Sequence, residues 1–166
     1  KELFNAQSLY NSVYTGIAPQ ANFVSIKVCG SGTACSESAM LSGFDWCIAN
    51  KTKFNISVIS ISIGSDTTYG SYCDATSSFT SSINNATGIN ISVVIAAGNH
   101  NSATQIADPA CVKNATAVSA TNKDNSIASY SDRGPLTDLF APGSSITSTS
   151  KDGTTVAMSG TSMATP

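Results

Sequence analysis

The run Ile91-Ser92-Val93-Val94-Ile95-Ala96-Ala97 constrains this chain more than any other stretch. It is almost continuously apolar and far shorter than the ~18 residues of a membrane span, the pattern of a strand covered on both faces. Strands of that kind belong to parallel sheets, whose crossovers lay helices over the sheet. The run stops abruptly at Gly98-Asn99, ordinary turn chemistry. Two further strands are predicted upstream, over residues 23–28 and 58–63. Between them Ser36 is a good N-cap, and Glu37 suits the first turn. Met40, Leu41, Phe44, Cys47 and Ile48 then recur at helical spacing, which predicts a helix to about Asn50, with Lys51 and Lys53 at or just past its end.

A weaker helical stretch is expected near 75–87, and shorter strands over 115–120, 136–140 and 145–149. Turn clusters at Asp132-Arg133-Gly134-Pro135 and Pro142-Gly143 separate them. Leu3, Phe4, Leu9 and Tyr10 suggest a short amphipathic piece at the start. Strand, helix, strand, helix, strand at this spacing predicts an α/β fold, a doubly wound, mostly parallel sheet with helices on both faces. With no internal repeat and no linker, residues 1–166 read as a single domain. Ligands in such sheets bind beyond the carboxyl ends of the strands, which places Gly64, Asn99 and the approach to Ser162 on one edge.

Charged residues make up only 11% of the chain and the formal net charge is −2. That gives no electrostatic reason to expect nucleic acid or a membrane as partner. Five cysteines, at 29, 35, 47, 73 and 111, suggest an oxidising compartment. Sequons at Asn50, Asn55, Asn85, Asn90 and Asn114 add weak support for secretion, although Asn55 and Asn90 lead straight into predicted strands.

Three stretches invite a chemical reading. Gly30-Ser31-Gly32-Thr33-Ala34-Cys35 follows a strand and precedes a helix, as a dinucleotide fingerprint does. Its third position is Cys35 rather than Gly, and no acid ends the next strand, so nucleotide binding is a poor fit. Ala96-Ala97-Gly98-Asn99 ends a buried strand with an amide, a neutral and directional donor suited to a transient oxyanion. Gly160-Thr161-Ser162-Met163-Ala164-Thr165-Pro166 surrounds Ser162 with small or hydroxylated residues. A serine becomes a nucleophile when its oxygen is exposed, a base lies within reach and donors await the oxyanion. Otherwise this is a Ser/Thr-rich loop.

Together these stretches resemble the subtilisin-like serine proteases, or subtilases. The Ser162 stretch is similar to their nucleophile motif and Ala96–Asn99 to their oxyanion-hole motif. Gly16-Ile17-Ala18-Pro19, Ser62-Ile63-Gly64 and Ala141-Pro142-Gly143 also match in order, so the likeness spans nearly the whole chain. It implies a serine endopeptidase that cuts polypeptides through an acyl-enzyme on Ser162, with the Asn99 amide and the Ser162 N–H as oxyanion hole. Ser62, Ile63 and Gly64 would pair with an extended substrate, and Ala96, Ala97 and Gly98 would wall the pocket for the residue before the cut. These small residues suggest a roomy pocket without fixed charge, which favours an apolar or aromatic side chain. The resemblance further implies a secreted monomer and a Cys73–Cys111 disulfide, with Cys29–Cys35 as a local bridge and Cys47 a buried thiol outside both. Subtilases often bind structural calcium, but no acidic cluster here can be assigned to it, and no other cofactor or metal is expected.

The chain departs from the family in one respect. A subtilase triad runs Asp, His, Ser along the sequence, and neither the Asp motif nor a His-Gly-Thr-His-type motif is present. The only histidine is His100, where the family varies, and it reads as an exposed loop residue. The expectation is an internal fragment, incomplete at both ends, inactive alone and poorly soluble where sheet is left uncovered. The alternative is a catalytically dead subtilase-like binding or structural domain.

Overall fold

The apolar run at 91–97 becomes an inner strand of a four-stranded sheet in the computed structural model, which describes residues 3–5, 16–30 and 35–166. The chain divides into two compact units, Lys1–Gly43 and Phe44–Pro166. In the first, β1 (Leu3–Asn5) pairs antiparallel with β2 (Asn22–Val24), Leu3 opposite Val24. The strand expected over 23–28 is therefore only partly a strand; beyond Val24 the chain is irregular as far as the Cys29–Cys35 disulfide. The amphipathic piece sought around Leu9 and Tyr10, and residues 31–34 of the glycine-rich loop, lie outside the described residues.

Helix α1 (Glu37–Ala49) starts where Ser36 predicts. The Ser36 carbonyl accepts the Met40 N–H at 3.0 Å, and its hydroxyl takes the Ala39 N–H at 3.4 Å, satisfying donors that a helix start leaves open. The helix breaks at Asn50, whose side chain donates to the Trp46 carbonyl at 2.9 Å. Lys51 and Lys53 then fall inside a separate turn, α2 (Lys51–Phe54), closed by Asn55 in the left-handed conformation at φ 51°.

The rest of the second unit runs β3 (Val58–Ile61), β4 (Thr68–Tyr69), α3 (Thr80–Gly88), β5 (Ser92–Ala96), β6 (Ile106–Ala107), β7 (Thr116–Thr121), β8 (Leu139–Pro142), β9 (Ile146–Thr149), β10 (Thr155–Met158) and α4 (Thr161–Ala164). The main sheet has the order β3-β5-β7-β8 with every pairing parallel. Ile61 lies opposite Ile95, Ala96 opposite Val118, and Ala120 opposite Ala141. The inner strands carry the core: Val93, Ile95, Ala117, Val118 and Ala120 are all buried. On the outer strands Val58, Leu139 and Phe140 stay about half exposed. Much of the core is alanine, which lets backbones approach closely; Ala164 of α4 packs with Val118, Ala120 and Ala128.

Two antiparallel ladders join these strands: β4 pairs with β6, and β9, expected over 145–149, pairs with β10. β4, β6 and β10 escape the sequence reading, since each is only two to four residues long and carries no period-2 alternation. A second disulfide, Cys73–Cys111, ties the segment after β4 to the segment after β6. Both sulfurs belong to buried residues, and the Cys73 N–H donates to the Cys111 carbonyl at 3.1 Å. Cys47 is buried on α1 and outside both bridges.

Replacing Cys73 and Cys111 together by serine is expected to lower stability by about 2–5 kcal/mol, because the bridge closes a long loop of the unfolded chain. Chemical denaturation of the pair against wild type measures it.

Candidate active site

Strands β3 and β5 end side by side, and each continues into a loop that reaches the same cleft. After β5, the Ala97 N–H donates to Val118 O at 2.9 Å and its carbonyl accepts the Ala107 N–H at 2.7 Å. Gly98 follows at φ +113°, a conformation that disfavours any side chain. A Cβ there would also collide with the Asp132 carboxylate and come within 3.1 Å of the Ala107 methyl group. Only glycine fits.

The Asn99 amide is oriented by Thr161, which is fully buried. Asn99 Oδ1 accepts the Thr161 N–H at 2.9 Å and its hydroxyl at 3.1 Å. A backbone N–H can only donate, so the atom it meets must be the amide oxygen. The Thr161 hydroxyl in turn accepts the Gly98 N–H at 3.2 Å. Among the described residues the Asn99 NH₂ group has no hydrogen-bond partner, so it remains a donor available to the cleft.

Ser162 sits in α4, held from below by the Ala141-Pro142-Gly143 turn. The Gly160 N–H donates to Gly143 O at 2.9 Å, and Tyr130 donates its hydroxyl to the same carbonyl at 2.8 Å. A Cβ on Gly143 would stand 2.7 Å from both Ala120 Cβ and Gly160 O, so glycine is what lets this turn close on the sheet. Ser162 is half-buried. Its hydroxyl donates to the Ser62 carbonyl at 3.1 Å, and the Ser62 hydroxyl donates to the Ser162 carbonyl at 2.9 Å.

The structure also brings in residues that the sequence reading passed over. Asp132, assigned to a turn, is completely buried. Its Oδ1 accepts the N–H groups of His100 at 2.9 Å and Ser102 at 2.8 Å, and its Oδ2 meets His100 Nδ1 at 2.7 Å. Its own N–H donates to Gly98 O at 2.9 Å. The loop that carries Asn99 is thus clamped on both sides by one carboxylate residue. His100 is an exposed residue of the loop after β5, as expected; its ring is in addition held by Asp132, with Nε2 at 3.6 Å from Asp66. The hydrogen bond to Asp132 raises the His100 pKa above 6.5, against a smaller opposing effect of burial, and Asp66 adds to the rise.

The cleft encloses about 170 Å³ and is lined by Gly64, Ser65, Asp66, Ala96, Gly98, Asn99, His100, Thr161 and Ser162. Of the residues picked from sequence, Ser162, Asn99, Gly64, Ala96 and Gly98 meet there, and Ser62 touches Ser162 directly. Ile63 and Ala97 are not part of the lining, and Ala97 is fully buried. Asp66 and His100 also stand in the wall of this cleft. For calcium, the one grouping of potential ligands among the described residues is Cys73, Asp108 and Cys111. Its sulfurs are joined to each other, which leaves a single carboxylate and no fit to a hard cation.

The profile of the Subtilase family (peptidase S8) matches residues 4–166. The chain belongs to the subtilase family. It is 39% identical over 153 residues to a cuticle-degrading serine protease of Arthrobotrys oligospora, covering 91% of this chain and 35% of that protein. It is 37% identical over 156 residues to alkaline protease 1 of Aspergillus clavatus, with 91% and 36% covered. Among solved structures it is similar to a cold-adapted subtilisin-like serine proteinase, with TM-score 0.70 and 32% identity over 84% of this chain and 47% of that one. The fold is therefore the α/β fold of subtilisins. The chain spans about a third of the length of these curated relatives, 35% and 36%.

Two measurements check this subtilase cleft. Asp132→Ala leaves the His100 and Ser102 N–H groups unpaired in the interior and is expected to cost about 2–5 kcal/mol, read by thermal or urea unfolding. The folded His100 pKa lies above the unfolded value. The stability it contributes is therefore full below about pH 6.5 and is lost as pH rises through the raised folded value. The difference in stability between wild type and His100→Gln should shrink across that window.

Proposed function

We propose that the protein carrying this chain is a serine endopeptidase, with Ser162 as nucleophile and the Asn99 NH₂ group and Ser162 N–H as oxyanion donors. The observation that supports this best is the double hydrogen bond from Thr161 to Asn99 Oδ1. It presents the amide nitrogen to the cleft before any substrate arrives, and preorganised donors are what acyl transfer needs. In this reading the Ser162 oxygen attacks a peptide carbonyl, the amine leaves, and water hydrolyses the acyl-enzyme. An extended polypeptide would run along Ser62, Ile63 and Gly64, with Ala96 and Gly98 beside the residue before the cut. Residues 1–166 would form part of one catalytic domain of a secreted monomer.

The reading needs a base for the Ser162 proton. Within the described residues Ser162 Oγ is hydrogen-bonded only to Ser62 O, and His100 is already engaged by Asp132 and Asp66. This same observation favours the second reading, a catalytically dead subtilase-like binding domain. A fluorophosphonate probe separates the two. The complete protein is expected to be labelled at Ser162 and the Ser162→Ala variant not at all. The 166 residues alone should label negligibly, since loss of the base in an enzyme of this kind costs on the order of 10⁶ in kcat. Failure of the complete protein to label would leave the binding-domain reading.

Asn99→Ala is expected to lower kcat by about 10²–10³ with little change in KM, a magnitude taken from subtilisin itself. Steady-state kinetics on a peptide amide measures it.

A further inference from the structure

As sequence the five sequons are weak signals; the fold gives them a place in common. β3, β5 and β7 are parallel neighbours, so their first residues mark one edge of the sheet, opposite the edge that carries the cleft. Asn55, Asn90 and Asn114 stand two or three residues before Val58, Ser92 and Thr116, where those strands begin. Asn85 lies in the last turn of α3, the crossover helix that returns the chain to the start of β5. Asn50 stands at the break between α1 and α2, just ahead of β3. No sequon falls on the loops that leave the carboxyl ends of the main sheet.

Neighbouring sequons also touch. The Ser92 N–H donates to the Ser57 carbonyl at 2.9 Å, and Asn114 Nδ2 donates to Asn84 Oδ1 at 2.9 Å. Asn90, Ser92, Asn114 and Thr116 line one concavity of about 320 Å³, together with Thr87 of a third sequon. Asn55 and Asn90 stop short of their strands in the left-handed conformation, at φ 51° and 60°, which by itself favours asparagine. Asn101 and Asn125 adopt it elsewhere, at φ 59° and 66°, yet have Ala103 and Ile127 two residues on. Backbone geometry therefore accounts for the asparagines and leaves the paired hydroxyls of Ser57 and Ser92 unexplained.

We propose that Asn55, Asn85, Asn90 and Asn114 are acceptor sites for N-linked glycans, which makes the amino edge of the sheet a sugar-covered face and leaves the cleft edge bare. All four are exposed. Asn50 is half-buried with its amide held by the Trp46 carbonyl, and it stays unmodified. The inference rests on the secreted reading, because only a secreted chain meets the sugar donor. That donor is a polyprenyl-diphosphate oligosaccharide. Asparagine Nδ2 forms a bond to the anomeric carbon, the bond from that carbon to the diphosphate oxygen breaks, and the diphosphate leaves with its electron pair. One amide proton is lost to a base, and nothing is oxidised or reduced. The linkage consumes one of the two amide hydrogens, so Asn114 keeps one for Asn84. Val58, next to Ser57 and about half exposed, would then lie under a bulky hydrated group that also covers the end of an outer strand.

The test expresses the complete protein in a eukaryotic host, once behind a heterologous secretion signal and once behind its natural leader. The product is treated with peptide N-glycosidase in heavy-oxygen water, and each released site is read by mass spectrometry as a labelled aspartate. Behind the heterologous signal, label is expected at positions 55, 85, 90 and 114 and not at 50. Label at three or all of those four supports the proposal; label at two or fewer, or at Asn50, overturns it. Ser57→Ala, Ser92→Ala and Thr116→Ala keep the asparagines and should each remove the label two residues earlier. Label that persists in them overturns attachment directed by these sequons. Glycans gained behind the heterologous signal alone leave the acceptor sites standing and overturn the secreted reading. Secreted protein that carries no glycan in either arm overturns the sites and leaves that reading intact.

Discussion

Asp132 is the constraint on which the cleft depends. A carboxylate with no exposure to water must have its lone pairs filled, and here they are filled by the loop after β5: two N–H groups and one imidazole. The Asp132 main chain adds to the hold, since its N–H donates to Gly98 O and its carbonyl accepts the Ser119 hydroxyl at 2.7 Å. One residue thus joins the tip of β5 to β7 and fixes residues on both sides of Asn99. It also makes Gly98 obligatory, because its carboxylate occupies the space a side chain would need.

The second organising feature is the economy of charge. With 11% charged residues, the site is assembled mainly from hydroxyls and backbone. Thr161 spends its one hydroxyl proton on Asn99 and its lone pair on Gly98. Ser119 bridges the Asp132 carbonyl and Thr137, and Tyr130 reaches Gly143. Short side chains of this kind have few rotamers to freeze, so they hold a position at small entropic cost. The alanine-rich packing around Val118 and Ala120 works toward the same end, because it brings α4 close enough for these short arms to reach.

Sequence reading recovers the parts of this arrangement that leave a periodic or motif signal. The buried parallel strand at Ile91–Ala97, the N-cap at Ser36 and the meeting of Ser162, Asn99 and Gly64 at the carboxyl edge all follow from local pattern. What it misses lacks such a signal. An aspartate in Asp132-Arg133-Gly134-Pro135 looks like turn chemistry, and nothing in four residues reveals that its carboxylate is walled off from water. Burial of a polar group is a property of distant neighbours. The pairing of His100 with Asp132 is hidden for the same reason, across 32 positions. β4, β6 and β10 escape because strands of two to four residues are too short to show a period-2 alternation.

The reciprocal bonds between Ser62 and Ser162 carry a consequence of their own. The carbonyl that receives the Ser162 hydroxyl belongs to the loop along which an extended peptide would lie. On the endopeptidase proposal, that serine would be parked against the rail on which a substrate would travel. Its hydroxyl would then have to turn away from Ser62 to reach a base and a scissile carbonyl, and a peptide backbone that donated to the Ser62 carbonyl would release it. Filling the rail and freeing the hydroxyl would be one event, whereas in the structure the Ser162 hydroxyl is engaged by Ser62 O.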